Sequence, residues 1–205
     1  SSLLATLSHE GNISTFYGAT ALREAHEAAV DGDIITLSSG SFTSVEITKG
    51  ITLRGAGMAV DATTQSEPTI ITGDFNVSIP KTATSPLTIE GIYSDYKMYV
   101  ADTLRNATFL KSRFKLIDSK SSITPFINMT MIHCKVSNQI YCAKNSTINC
   151  INCVIFNPYC VDADASVFEM TNCIICKADP SWSIYSSTFK NCIFIGNDAN
   201  DHALN

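Results

Sequence analysis

The sequence predicts an all-β protein, a right-handed parallel β-helix solenoid with an N-terminal capping α-helix. Three observations lead to this prediction: a motif that recurs with a period of roughly 20 residues, short alternating apolar runs within each repeat, and one amphipathic segment near the N-terminus. We expect a single β-helix domain over residues 1–205, with a cap segment at about 12–32, coils at about 33–196 and a polar tail at 197–205.

The recurring motif is an apolar residue, a variable one, Asn or His, Cys, a variable one and an apolar one. It occupies residues 131–136, 150–155, 170–175 and 189–194. Its cysteines are almost evenly spaced along the chain, and they are Cys134, Cys153, Cys173 and Cys192. We expect this row to continue upstream through Phe114 and Ile92. Such a period with short strands fits one solenoid coil, stacked about 4.8 Å above the coil before it.

Alternation along each strand decides which side chains enter the core. We expect the four motif cysteines to point inward, together with the residues two positions later: Val136, Ile155, Ile175 and Phe194. The asparagines before three of these cysteines (Asn152, Asn172 and Asn191) are expected at the bend between strands, because Asn tolerates the left-handed conformation. Stacked bend asparagines are also expected to hydrogen-bond one another from coil to coil.

The cap helix is predicted between Thr20 and about Val30. Thr20 is the expected N-cap residue, and an apolar face is formed by Leu22, Ala25 and Ala29. The dipeptide at 31–32, Asp-Gly, is expected to end the helix before a strand at 33–37. Such a helix would cover the open end of the first coil.

The stretches 21–42 and 51–57 resemble the entry to the pectate-lyase-like superfamily of right-handed parallel β-helices. The resemblance concerns architecture, extends over most of the chain when the coil repeats are included, and identifies no individual family within the superfamily. A β-sandwich also has many short strands, and it is the alternative architecture. It does not explain a constant repeat period that persists along the chain.

All eight cysteines lie after position 133, and three interpretations compete. The two-residue spacings at 150–153 and 173–176 are compatible with structural zinc. A disulfide framework is compatible with secretion. Buried thiols are the third interpretation, and the repeat favours it, because parallel stacked cysteines have a poor geometry for a disulfide. We therefore expect no metal site. Cys142 and Cys160 lie outside the motif row.

Composition excludes some partners. The net charge of -5 provides no basic field, so we expect no nucleic-acid binding. No run approaches the roughly 18 apolar residues that a membrane span requires, so we expect no membrane span.

Members of the superfamily that the chain resembles often cleave or rearrange acidic polysaccharides. A lyase would need a basic side chain to remove a proton next to a uronate carboxylate, and often calcium held by Asp and Glu clusters. The basic candidates are Lys97, Arg113, Lys115, His133 and Lys135, and the three lysines are the predicted catalytic candidates. Lys115 and Lys135 are one repeat period apart and are expected to stack on one outer face. The alternative is that they are solvated surface charges. No cofactor is expected, with calcium as the exception if the protein is a lyase.

The longer connections between strands all lie in the N-terminal half, where they provide room for a ligand-binding wall. Tyr93, Tyr96 and Tyr99 are the predicted ligand-binding residues there, because tyrosines commonly stack on sugars. Equally, three tyrosines near each other are compatible with the packing of a loop.

The residue after each anchor is expected to face outward. This outer row changes from polar to apolar toward the C-terminus: Tyr93, Lys115, Lys135, Val154, Ile174 and Ile193. An exposed apolar stripe is a liability unless another surface covers it. We therefore expect self-association through the C-terminal coils, at Val154, Ile174 and Ile193.

Together these patterns predict a non-catalytic β-helix protein that is secreted or lies at the cell surface. Its role would be binding, with carbohydrate as the ligand class, or adhesion and assembly. The alternative is a small polysaccharide lyase or another carbohydrate-active enzyme that acts on acidic glycans. The sequence leaves open whether the protein is an enzyme, and our interpretation favours a protein that is not.

Overall fold

The computed structural model describes residues 2–58, 67–119, 123–161, 167–178 and 187–196. Within these ranges the chain forms an all-β parallel solenoid of about 7 turns with one α-helix. The predicted β-solenoid architecture is therefore confirmed. The polar tail expected at 197–205 lies outside the described residues.

The secondary structure begins with a hairpin, a helix and the strands of the first coils: β1 (Leu4–His9), β2 (Asn12–Tyr17), α1 (Ala21–Ala28), β3 (Ile34–Leu37), β4 (Gly40–Thr43), β5 (Thr52–Arg54), β6 (Thr69–Thr72) and β7 (Phe75–Val77). The middle coils contain β8 (Thr88–Glu90), β9 (Ile92–Ser94), β10 (Lys97–Val100), β11 (Leu104–Arg105), β12 (Thr108–Leu110), β13 (Arg113–Ser119) and β14 (Phe126–Ile127). The last coils contain β15 (Met129–Ile132), β16 (Lys135–Cys142), β17 (Ile148–Ile151), β18 (Val154–Phe156), β19 (Pro158–Cys160), β20 (Phe168–Thr171), β21 (Ile174–Cys176), β22 (Thr188–Lys190) and β23 (Ile193–Ile195).

Two sheets run along the solenoid. The first has the order β2-β1-β3-β5-β8-β12-β15-β17-β20-β22, and it is parallel from β3 onward. The second has the order β4-β6-β9-β13-β16-β18-β21-β23. Three further strands join it, since β10 pairs with β7 and β13, and β19 pairs with β16. Each coil thus adds strands to both sheets, as the period predicts.

The second sheet bends within its two longest strands, β13 and β16. Leu116 and Ile117 are consecutive and both buried, so the strand changes direction between them. The register between β13 and β16 also shifts between Phe114 and Leu116. As a result the outward side chains before the bend and those after it form two separate columns on the solenoid surface.

The core is a stack of apolar side chains in register. Phe114, Val136, Ile155 and Ile175 occupy one such column and are at most 1% exposed. Burial of each large side chain contributes roughly 1.5–3 kcal/mol. Cys134, Cys153 and Cys173 also point inward, as predicted. In the last coil, Cys192 and Phe194 are only half-buried.

The upstream part of the motif row was predicted incorrectly at one position. Phe114 pairs with Val136, two residues beyond Cys134. Arg113 pairs with Lys135 in the next coil. The residues just before them, Ser112 and Cys134, therefore occupy equivalent places in consecutive coils. The coil from Ser112 to Cys134 is longer than the later coils, and a constant spacing therefore misplaces the row by two positions. Ile92 was placed correctly, since Tyr93 pairs with Arg113.

The bend prediction is confirmed. The three asparagines before the motif cysteines have φ angles of 52–54°, in the left-handed region, and they are Asn152, Asn172 and Asn191. The Asn191 side-chain amide donates to Asn172 Oδ1 at 2.7 Å. In the coils before these, Asn152 Nδ2 lies 3.1 Å from His133 Nε2, and His133 also has a positive φ.

The N-terminal region differs from the prediction. Residues 4–17 form an antiparallel hairpin that continues the first sheet beyond β3, so part of the expected cap segment is a strand. The helix begins at Ala21 as expected, but the Thr20 side chain makes no capping hydrogen bond. The helix ends at Ala28 because Ala29 is extended, and the Lys49 ammonium donates to the last-turn carbonyl oxygens of His26 and Glu27.

Candidate ligand-binding site

The first outward column of the second sheet lies before the bend. It contains Tyr93 in β9, Arg113 in β13 and Lys135 in β16, which are paired in register in consecutive coils; we call it the arginine column. The Arg113 guanidinium carbon lies 5.0 Å from the centre of the Tyr93 ring, a distance at which the ring attracts the cation. Arg113 Nε is buried and has no hydrogen-bond partner among the described residues.

The second outward column lies after the bend. Tyr99 in β10, Asp118 in β13, Tyr141 in β16 and Tyr159 in β19 follow one another in register, and we call them the tyrosine column. The rings of Tyr141 and Tyr159 are stacked, with centroids 5.3 Å apart and an interplanar angle of 12°. Lys97, at the start of β10, places its ammonium 6.0 Å from the Tyr99 ring centre.

The surroundings of the tyrosine column favour uncharged forms of its acidic groups. Partial burial raises the pKa of Asp118 above its ordinary value, and the Lys97 ammonium offsets part of this effect. Partial burial also raises the pKa of Tyr141, and Tyr159 and Asp118 add to the increase. The Tyr141 phenol is therefore neutral at physiological pH, where it can both donate and accept a hydrogen bond.

Four cations lie in or beside the two columns, namely Lys97, Arg113, Lys115 and Lys135. None of them forms an ion pair with another residue in the described part of the chain. In contrast, Arg54 on the first sheet forms an ion pair with Glu90, and its Nε lies 3.1 Å from Glu90 Oε2. The second sheet therefore presents several cations outside ion pairs on a protein whose net charge is -5, and Asp118 is the carboxyl group that interacts electrostatically with one of them, Lys97.

The structure brings together only some of the predicted site residues. Tyr93 joins Arg113 and Lys135, and Lys97 joins Tyr99. The expected stack of Lys115 on Lys135 is wrong, because Lys135 pairs with Arg113 and Val154. Lys115 is exposed and lies where the register shifts between β13 and β16.

Tyr96 lies between β9 and β10 and belongs to neither column. It is 45% exposed, and its backbone N–H is 3.4 Å from Ser94 Oγ. No described contact links its ring to Tyr93 or Tyr99. The three predicted tyrosines therefore do not form one cluster.

Sequence reasoning did not identify Asp118, Tyr141 and Tyr159 as site residues. A weak signal was available, since the separation of Tyr141 and Tyr159 is close to the coil period. The steps from Tyr99 to Asp118 and from Asp118 to Tyr141 are unequal, and only the first is close to that period. The bend and the register shift cause this irregularity, and neither is visible as a repeated sequence motif.

The cysteines form interior rows instead of a site. All eight are thiols, and seven of them are buried. Among the described residues, no group of three or more His, Cys, Asp or Glu side chains is arranged to hold a metal ion.

A surface depression of about 230 Å³ lies between the connection at 79–87 and the residues at 103–106. It is thus in the part of the chain where the longer connections predicted a binding wall. Its basic lining residues are Lys81 and Arg105, and none of the predicted site residues lines it.

Comparisons with known proteins identify no relative: no family model matches the chain, and neither the curated proteins nor the solved structures contain a significant match. In the described part of the chain, no helix has the length and apolar character needed to cross a membrane.

Proposed function

We propose that this is a secreted or cell-surface protein that binds an acidic glycan on the outer surface of its solenoid, without chemistry of its own. The observation that carries the proposal is the arginine column, in which Arg113 stacks on Tyr93 beside Lys135 with no described carboxylate paired to either cation. A planar guanidinium matches the geometry of a carboxylate group and can bind it through two parallel hydrogen bonds.

The repeat of the coils supports an extended, repeating ligand. Side chains in one column recur about every 4.8 Å along the solenoid axis. A polysaccharide that lies along this axis would meet one side chain per coil. Cations would bind its acidic groups. Because the rings of Tyr141 and Tyr159 stack on each other, their outward edges and phenol hydroxyls would contact the sugars. Several weak contacts of this kind combine into useful affinity when they act together.

Binding to polygalacturonate and to a sulfated polysaccharide, with dextran as the neutral control, tests the proposal. We expect Arg113→Ala to weaken binding to the acidic polymers roughly tenfold, corresponding to about 1.4 kcal/mol. Arg23→Ala removes the same charge from an exposed position on α1 and is the matched control. Added salt should weaken binding. Equal affinities of the two variants, or binding to dextran alone, would refute the proposal.

We also propose the finer architecture that the sequence resemblance implies, a right-handed coil of the pectate-lyase-like kind closed by α1. Right-handed connections are the rule between parallel strands of one sheet. The apolar side of α1 supports its role as a cap, since Leu22 and Ala25 are 0% exposed and belong to the same core cluster as the coils.

A polysaccharide lyase is the second candidate. Its supporting observation is that Lys97 lies near Asp118, a carboxyl group whose pKa is raised by burial. Lyase products absorb ultraviolet light, so turnover of polygalacturonate with calcium or with chelator tests this candidate directly. A calcium-dependent signal that disappears in Lys97→Ala, Lys115→Ala or Lys135→Ala would replace the non-catalytic proposal. We expect no signal.

A role in adhesion or assembly is supported by the C-terminal coils. Val154, Ile174 and Ile193 are stacked in register, and Ile174 and Ile193 are 36% and 60% exposed. Ile195, in the same last strand, is 52% exposed. If this stripe binds another protein surface, Ile193→Lys should abolish that association without a change in stability. Sedimentation velocity of the unmodified chain and of Ile193→Lys measures whether the association is lost.

A further inference from the structure

The hairpin at the N-terminal end leaves one strand edge uncovered. β2 is the outermost strand of the first sheet and pairs only with β1 among the described strands. Five of its six residues are exposed, and none is charged or a proline. Proteins usually protect such edges with lysines, prolines or bulges, because an unprotected edge pairs with another strand.

The hairpin turn shows which backbone groups point away from β1. Glu10 and Gly11 both have positive φ angles, 47° and 83°, as in the two-residue turns that match strand twist. In such a hairpin the pair next to the turn, His9 and Asn12, is hydrogen-bonded, and bonded pairs then alternate along the strands. The N–H and C=O groups that point outward are therefore those of Ile13, Thr15 and Tyr17.

The side chains of the same three residues lie on one face. Phe16 is on the opposite face and packs against the core. Ile13 and Tyr17 are 63% and 65% exposed, and Thr15 lies midway between them. The two large apolar side chains are thus placed symmetrically about Thr15.

We propose that β2 pairs antiparallel with β2 of a second copy of this chain, about a two-fold axis at Thr15. Ile13 of each copy then lies opposite Tyr17 of the other, and Thr15 lies opposite Thr15. Pairs of an aromatic with a β-branched residue, and pairs of threonines, are favourable across antiparallel strands. The outward backbone groups of three residues in each copy become hydrogen-bonded. This contact is isologous, so it closes as a dimer.

The strand that pairs with β2 is β2 of a second copy, because the outward residues of β2 are complementary to themselves about Thr15. A different strand would need matching residues at each of the three positions. The dimer surface is also distinct from the apolar stripe at Val154, Ile174 and Ile193, which lies at the other end of the solenoid. Variants of the two surfaces can therefore be compared directly.

Disulfide trapping tests the register. In a Cys192→Ser background, Thr15→Cys should form a disulfide-linked dimer on mild oxidation, because residues opposed in a hydrogen-bonded pair have Cα atoms about 5.5 Å apart, within disulfide range. Asn12→Cys is the matched control: it is exposed on the same strand but lies about 20 Å from its counterpart in this register. Equal cross-linking of both variants, or none of Thr15→Cys, overturns the proposal.

Sedimentation equilibrium tests the association without a cross-link. The unmodified chain should dimerise with rising concentration, and Ile13→Lys should shift the dissociation constant at least tenfold toward monomer. At a concentration at which both proteins are monomeric, their thermal midpoints should be equal, because dimerisation itself raises the midpoint. Ile193→Lys should leave the dimer intact. A chain that is monomeric throughout the micromolar range, or a dimer lost in Ile193→Lys but not in Ile13→Lys, overturns the proposal.

Discussion

Ser112 and Cys134 occupy the same place in consecutive coils, and their side chains make the same hydrogen bond. Ser112 Oγ donates to Leu110 O at 2.9 Å, and Cys134 Sγ donates to Ile132 O at 3.4 Å. In each case the acceptor is two residues earlier, across the bend. From Ser112 onward the row of inward residues is thus occupied by small side chains that carry a donor, whereas Ile92 occupies it in the coil before. Ser112 shows that a hydroxyl can take the place of the thiol.

This equivalence predicts how the row tolerates substitution. Cys153 donates to Ile151 O at 3.3 Å, so Cys153→Ser should keep a donor there and lower the free energy of unfolding by less than about 1 kcal/mol. Cys153→Leu has no donor and overfills a packed core, which costs about 1–3 kcal/mol. Urea unfolding measures both. A serine variant less stable than the leucine variant would contradict the equivalence.

The thiols should differ sharply in reactivity. Cys192 is half-buried in the last described coil, and the other seven cysteines are buried. A hydrogen bond with Cys153 and burial raise the pKa of Cys150 well above the ordinary value, and burial and Cys160 do the same for Cys142, so neither forms the reactive thiolate at neutral pH. Partial burial raises the pKa of Cys192 too, so its greater reactivity rests on its exposure. We expect a thiol reagent to label one cysteine in the native protein and eight in denaturant, counted by mass spectrometry. Native labelling of Cys192→Ser at the same rate would contradict this assignment.

The sequence was sufficient for the solenoid and for the inner face of its later coils. A motif with nearly constant spacing forces equivalent residues into register, and alternation then places Cys153 and Ile155 in the core. The prediction was wrong where the coil length changes, at Phe114, because a shifted row cannot be recognised without strand pairing. The N-terminal hairpin was also missed, since its turn residues, Glu10 and Gly11, resemble neither Asn-Gly nor Asp-Gly.

The candidate site was less predictable than the fold. Core positions must be apolar, so burial leaves a strong pattern in the sequence. The residue types in an outward column are constrained only by what that column contacts. Tyr93 and Lys135 were identified individually, but their connection through Arg113 depends on the pairing of three strands. The tyrosine column depends further on the bend at Leu116, where two consecutive residues face inward and alternation fails.

Substitutions at Asn172 should distinguish the cost of backbone strain at the bend from the contribution of the side-chain hydrogen bond. Its φ is 53°, and its Oδ1 accepts a hydrogen bond from Asn191. Asn172→Ala should lower the free energy of unfolding by about 2 kcal/mol, because a residue with a Cβ and no local hydrogen bond is strained in this conformation. Asn172→Gly relieves the strain and should cost less than about 1 kcal/mol. If urea titrations find the two variants equally stable, the bend is not under steric constraint.

His26 makes the stability of the N-terminal end depend on pH. It lies in α1, is 5% exposed, and its Nε2 accepts a hydrogen bond from the Thr48 N–H at 3.2 Å. Burial, aided by Lys49, lowers its pKa from 6.5 to about 4. The unfolded chain therefore binds a proton more readily than the folded chain. The stabilising contribution is fully present above about pH 6.5 and is lost as the pH falls toward 4.

His26→Gln should isolate this effect, because glutamine can accept the same hydrogen bond but does not titrate. Between pH 7 and pH 4.5 we expect the native chain to lose about 1–3 kcal/mol more of its free energy of unfolding than the variant does. His9 shifts in the opposite direction, since its hydrogen bond to Asp33 raises its pKa, but it is common to both proteins and its contribution cancels. Parallel pH profiles of the two proteins would mean that His26 is protonated equally easily in the folded and unfolded chains.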